Sequence, residues 1–190
     1  MNTIFYEEKI FEGVDFTEKN PSGRTFTDCT FINCDFSKAD LTNDDFMDCH
    51  FQLCNCSLAV LENTGIKNVR FTACKLVGID FSRCNNFNFS PSFENCPMDY
   101  SSFFQKKMKK TLFADCSLKD TDFTETDLTG AVFKNCNLLQ AAFVHAVLEK
   151  ADFRTATNYA LDPEMNKIKK AKFSYSGIAG LLAKYDIDIA

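Results

Sequence analysis

The stretch FTDCTFINCDFSKADLTNDDF, residues 26–46, decides the fold. Phe26, Phe31, Phe36, Leu41 and Phe46 recur every five residues, and two positions before three of them stand Cys29, Cys34 and Ala39. Neither helix nor strand has this period. A helix would spread these positions around its circumference, and a strand would send them alternately to opposite faces. A five-residue period fits a chain that turns a corner after each pentapeptide, with the bulky centre and the small residue two before it both pointing inward. Four such sides close a square coil of twenty residues, so side chains twenty apart in this sequence should stack one coil above another.

Outward from this stretch the series runs Phe11, Phe16, then Phe26 through Phe51, Cys56, Leu61, Ile66, Phe71, Leu76 and Phe81, with Pro21 breaking it. After a slip of two residues it resumes as Phe93, Met98, Phe103, Met108, Phe113, Leu118, Phe123, Leu128, Phe133, Leu138, Phe143, Leu148 and Phe153. Small residues keep the second slot, most clearly Ala39, Ala59, Ala131, Ala141, Ala146 and Ala151. The predicted ladders are Phe31, Phe51 and Phe71; Phe93, Phe113, Phe133 and Phe153; and Phe103, Phe123 and Phe143. Rungs should lie ~4.8 Å apart. Each buried Phe or Leu contributes about 1.5–3 kcal/mol. The residue before the centre is often Asp or Asn, short enough to bond its own backbone at the corner.

The repeats CDFSK, ADLTN, TDLTG, CNLLQ and ADFRT carry a resemblance to the pentapeptide-repeat family over most of residues 11–156, with departures at 85–92 and 104–110. The resemblance implies an all-β protein, a right-handed quadrilateral β-helix whose coils pair in parallel, to which the tail's own pattern adds a short C-terminal α-helix. The expected organisation is a lead-in or cap at 1–10, the β-helix at 11–173 with its phase slip near 85–92, and a helix and tail at 174–190.

Composition narrows the function classes. The start, MNTIFYEEKIFEG, has no basic segment followed by an apolar run, and no long uncharged apolar stretch follows, so a cytoplasmic protein off the membrane is expected. A net charge of −5 argues against direct nucleic-acid binding. Of ten cysteines, nine fall two before a centre and Cys56 is itself a centre. A linear stack of thiols does not converge on a point, so these read as buried, reduced small hydrophobes, with neither metal nor cofactor expected. His50 and His145 fall on different coils, without a triad or a glycine-rich phosphate loop, so no enzyme is expected.

The surface offers three candidate features. Acids form two groups, Asp40, Asp44, Asp45 and Asp48, and Asp115, Asp120, Asp122, Glu125 and Asp127, read as anionic partner-binding patches. Many of them also serve the corner turn. Asp44 occupies an inward slot, which implies either a local distortion or a specific hydrogen bond. Lys106, Lys107, Lys109 and Lys110 form a basic group, and the inward slot of Lys106 predicts a bulge there, either a solvated corner or a binding feature. Leu112 and Val132 should stack as exposed apolar residues outside one face.

From about Ser174 to Tyr185 a helix is predicted, with Ile178, Leu181, Leu182 and Tyr185 on one stripe that covers the last layer of its own rod or docks on a second chain. Following NYALDPEMNKIKKAKFS, this tail resembles those of the Qnr-type quinolone-resistance and microcin-immunity proteins. That resemblance implies a tail-to-tail homodimer and engagement of a type II topoisomerase, DNA gyrase, by a DNA-like acidic rod. The other reading is a structural rod for another macromolecule.

Overall fold

The computed structural model describes residues 4–18, 23–185 and 187–188; the expected break at Pro21 lies outside them. The chain is a right-handed quadrilateral β-helix. Its four faces are named here by the centres that line them. Face I begins Tyr6, Phe26, Phe46, Ile66; face II Phe11, Phe31, Phe51, Phe71; face III Phe16, Phe36, Cys56, Leu76; face IV Leu41, Leu61, Phe81.

Parallel pairing runs up the rod. On face I, Phe5–Glu7, Thr25–Thr27, Asp45–Met47 and Gly65–Lys67 form a four-stranded sheet in strict twenty-residue register. On face II a seven-stranded sheet extends from Ile10–Glu12 to Val132–Lys134. Faces III and IV are joined by isolated parallel bridges such as Asp15 to Asp35 and Ser102 to Asp122. Corners use two devices. Asp15, Asp35, Asp40, Asp80, Asp122, Asp127 and Asp152 each accept a bond from the backbone N–H two residues on. Two residues after most centres the chain turns left-handed, as at Asp48 (φ 55°), Asp120 (φ 54°) and Lys150 (φ 59°).

The core is a continuous column of rings. Phe11, Phe31, Phe51, Phe71, Phe93, Phe113, Phe133, Phe153 and Phe173 stack near-parallel along face II. Rings on neighbouring faces meet edge to face, as Phe26 does Phe31 at 5.4 Å and 71°, and so do rings on the opposite faces II and IV, as Phe113 does Phe123 at 5.9 Å and 84°, the arrangement that aromatic quadrupoles prefer. Two of the separately expected ladders are therefore one. Phe71 stacks on Phe93 at 5.5 Å across twenty-two residues. The two extra residues are taken up on face I at 85–90, where Ser90 N–H bonds Ile66 O and Phe89 turns inward.

Two expectations are corrected. Residues 104–110 do not bulge: Ser102 and Lys107 bridge Asp122 and Asp127 in register, and Lys106 points inward with 1% exposure. Its Nζ donates to Cys84 O and Asn86 Oδ1 and lies 5.1 Å from the Phe89 ring centre, so the cost of burial is offset by holding the insertion in the coil before it. The helix is also shorter than expected, Ala179–Leu182 followed by a 3-10 turn at Ala183–Tyr185. Gly177 and Gly180 lie so close over Tyr159 that a Cβ on either would overlap it, and the segment before the helix settles as turns.

Candidate partner-binding surface

The interior offers no room for a substrate. Its void is about 20 Å³, lined by apolar side chains including Leu41, Cys56, Leu61 and Ile79 where smaller residues replace Phe; such a space holds about one water. All ten cysteines are buried and free. The slip joins Cys34, Cys54, Cys74, Cys96, Cys116 and Cys136 into one column inside face III, where Cys54, Cys96 and Cys136 donate to carbonyls of the coil before. Among the described residues no group of three or more His, Cys, Asp or Glu is placed to hold a metal. His50 Nε2 sits 3.0 Å from Thr72 Oγ1 on face II, and burial together with Arg70 lowers its pKa. His145 lies exposed at another corner.

Functional features are therefore on the outside, and the coil assigns each acid to a face. Asp40 and Asp122 stand on face IV, Asp40 bridged to Val60 and Asp122 bridged through Ser102 to Asp80. Asp120 marks the corner entering that face and Glu125 the corner leaving it. Asp45 lies on face I with Asp127, Asp48 at the corner between faces I and II, and Asp115 at the corner between faces II and III. Asp44 is removed from the surface altogether. It is fully buried, accepting from Arg24 Nη2 at 2.6 Å and Nε at 3.0 Å, so the specific bond, not the distortion, is what its inward slot holds.

Each sequence-defined acidic group thus wraps around the coil. Asp40, Asp120, Asp122 and Glu125 share one side, which Glu62 and Asp80 complete. Glu62 escaped the sequence reading, although its place one residue after Leu61 sets it on face IV. Asp127 is partly neutralised: Lys109 Nζ is 3.3 Å away, and despite burial its carboxyl titrates below the usual range because Thr129 and Lys109 bond it. Asp45 titrates above it, through burial and the neighbouring Asp44 carboxylate. Exposed apolar residues are interleaved with the acids on the same side: Leu58, Val60, Tyr100 and Phe104. Leu112 and Val132 pair outside face II, the first exposed and the second half-buried.

At the C-terminal end the tail folds onto its own rod. Leu161 N–H bonds Gly180 O, Lys184 reaches Asp162 and Glu164, and Leu181 packs on the core. Ile178 and Tyr185, expected on the same stripe as Leu181, remain exposed with Tyr175 and Ile187, while Leu182 is half-buried.

A right-handed quadrilateral solenoid with a filled interior is the architecture of five-residue repeats, and the chain belongs to the pentapeptide-repeat family. A model of the pentapeptide repeat region matches residues 24–103, and one of pentapeptide repeats in eight copies matches residues 110–156. Its fold is similar to that of QnrB1, a plasmid-mediated fluoroquinolone resistance protein. A trypsin-treated variant of QnrB1 is 17% identical, with 100% of each chain covered and a TM-score of 0.58. Full-length QnrB1 is 18% identical, with 96% of this chain and 100% of that one covered and a TM-score of 0.50. At such identities the likeness is one of fold. No curated protein matches the chain in sequence. Among the described residues, no helix is long and apolar enough to cross a membrane.

Proposed function

We propose that this chain is a non-catalytic cytoplasmic rod whose acidic side engages a type II topoisomerase, DNA gyrase, where duplex DNA would lie, and so protects the enzyme from quinolones or peptide toxins. The observation that carries the reading is the face IV column, in which Asp40, Asp80 and Asp122 recur at every second coil. That spacing is ~10 Å, with Glu62 on the coil between Asp40 and Asp80 and with Asp120 and Glu125 flanking Asp122 on its own coil. The fold likeness to QnrB1, a fluoroquinolone resistance protein, supports the choice of partner. Charge density limits the kind of mimicry. B-DNA carries a charge per ~1.7 Å, so ~10 Å of duplex bears about six. Face IV is much sparser, and the interleaved Val60, Tyr100 and Phe104 add apolar contact suited to a protein groove. The exposed Ile178, Tyr185 and Ile187 support a tail-to-tail homodimer, which would double the rod.

Gyrase supercoiling, with and without ciprofloxacin, tests the reading. The chain at micromolar concentration should inhibit supercoiling or restore it in the presence of drug. A variant carrying Asp40→Asn, Asp80→Asn, Asp122→Asn and Glu125→Gln should lose most of the effect with its circular dichroism unchanged. Absence of any effect by the unaltered chain would leave the other reading, a scaffold rod for a different macromolecule.

A further inference from the structure

The corner between faces I and II carries a charge sequence that changes sign along the rod. Its left-handed residues are Glu8, Asp28, Asp48 and Asn68 above the 85–90 insertion, and Lys110, Gly130, Lys150 and Lys170 below it. The ladder hydrogen bonds hold them in one line: Glu8 N–H to Thr27 O, Asp28 to Met47 and Asp48 to Lys67, then Lys110 to Thr129, Gly130 to Glu149 and Lys150 to Lys169. The charged members are exposed. The columns on either side are mixed. Glu7 and Asp45 above and Lys107, Lys109, Lys167 and Lys169 below repeat the division. Lys67 and Arg70 above and Asp127, Glu149 and Asp152 below run against it, so the sign change belongs to the corner line itself. Between the halves Asn88 is left-handed too, and Phe87 is 78% exposed and lines a groove with Asp45, Lys67 and Asn88.

We propose that this edge is an interface between two copies of the chain, lying side by side and antiparallel. A two-fold axis near Asn88 would set Glu8 opposite Lys170 of the second copy and Asp28 opposite its Lys150, so each contact occurs twice. The occupant follows from the order of charges. An extended polyanion would be attracted by the lysine half and repelled by the acidic half of the same line. A second copy run antiparallel satisfies both halves at once and covers Phe87. This interface is separate from the tail.

Sedimentation velocity of the full chain tests it. Self-association should be strong at low ionic strength and weaken at about 0.5 M salt, where the screening length falls well under 10 Å. Lys150→Glu with Lys170→Glu should weaken this association at least tenfold, as should Glu8→Lys with Asp28→Lys. All four changes together should restore it, because the pairs are merely exchanged. Lysine and acid already occupy this left-handed position, so the folded state tolerates each change. Asn88→Cys should give a disulfide-linked dimer under mild oxidation, since the ten native thiols are buried. No restoration in the fourfold variant overturns the proposal. So does a chain that stays unpaired at low salt while its lysines retard a DNA duplex.

Discussion

Arg24 and Asp44 occupy the same inward slot of face I one coil apart, with Nη2 2.6 Å from Oδ2 and side chains 5% and 0% exposed. The Arg24 backbone N–H also donates to Oδ1, and its guanidinium lies 5.7 Å from the Phe26 ring centre. In a slot that Thr64, Thr126 and Ala146 fill with small side chains, two charges persist because they satisfy one another. Arg24→Met should therefore cost about 3–5 kcal/mol by stranding a buried carboxylate. Arg24→Met with Asp44→Leu should recover most of it. Urea midpoints of the two variants decide the point; equal losses would show that packing, and not the charge left alone, sets the cost.

The same slot holds Lys106 higher in the numbering, and its bonds to Cys84 O and Asn86 Oδ1 tie the insertion to the regular coil. Burial lowers its pKa, a sign that the charged form has lost solvent. Lys106→Met keeps the stem but removes the donor. The expected loss is about 1–3 kcal/mol from acceptors left unpaired. Amide exchange should accelerate at 85–90 and stay unchanged at 113–133.

The repeat, the inward slots and the corner aspartates are legible because each is local in sequence and recurs. Sequence arithmetic also places Asp115 at the corner after face II, Asp120, Asp122 and Glu125 around face IV and Asp127 on face I, yet proximity along the chain suggests one patch. The coil turns a right angle every five residues, so neighbours in sequence face apart while Asp80 and Asp122, forty-two residues apart, share a face. Lys106 was illegible for another reason. Its partners lie in the insertion, whose path depends on where two extra residues are absorbed, and no period encodes that. The tail likewise lacks a repeat, and its helix is limited by contact of Gly177 and Gly180 with Tyr159.

The buried thiols predict an alkaline limit to stability. Burial pushes Cys49 and Cys84 up to about 12, whereas unfolded thiols titrate near ~8.5. The folded pKa is the raised one, so the contribution is complete below ~8.5 and is lost as pH climbs toward about 12. In that window the unfolded chain binds fewer protons, and each such thiol removes ~1.4 kcal/mol of stability per pH unit. Cys49→Ala should flatten the fall of the urea midpoint between pH 9 and 11, about the middle of that range. Tyrosines and lysines titrate there too, so the difference between variant and parent is the readout. Parallel curves would mean that the Cys49 thiol ionises equally in both states.

The tail makes the last prediction because one atom of clearance governs it. Gly180 O accepts from Leu161 N–H at 3.1 Å, and a Cβ on Gly180 would overlap the carbonyl oxygen of Tyr159. Backbone cannot yield as a flexible side chain would, so Gly180→Ala should lift the tail, breaking the Leu161 bond and the reach of Lys184 to Asp162 and Glu164. Trypsin should then cut after Lys184 much faster than in the parent, while the Phe ladders hold the rod and its circular dichroism steady. If the tail also joins two chains, the same variant should halve the mass seen in sizing at high salt, where the charged edge contributes least. Unchanged cleavage would show that Leu181 on the core anchors the tail without the close approach to Tyr159.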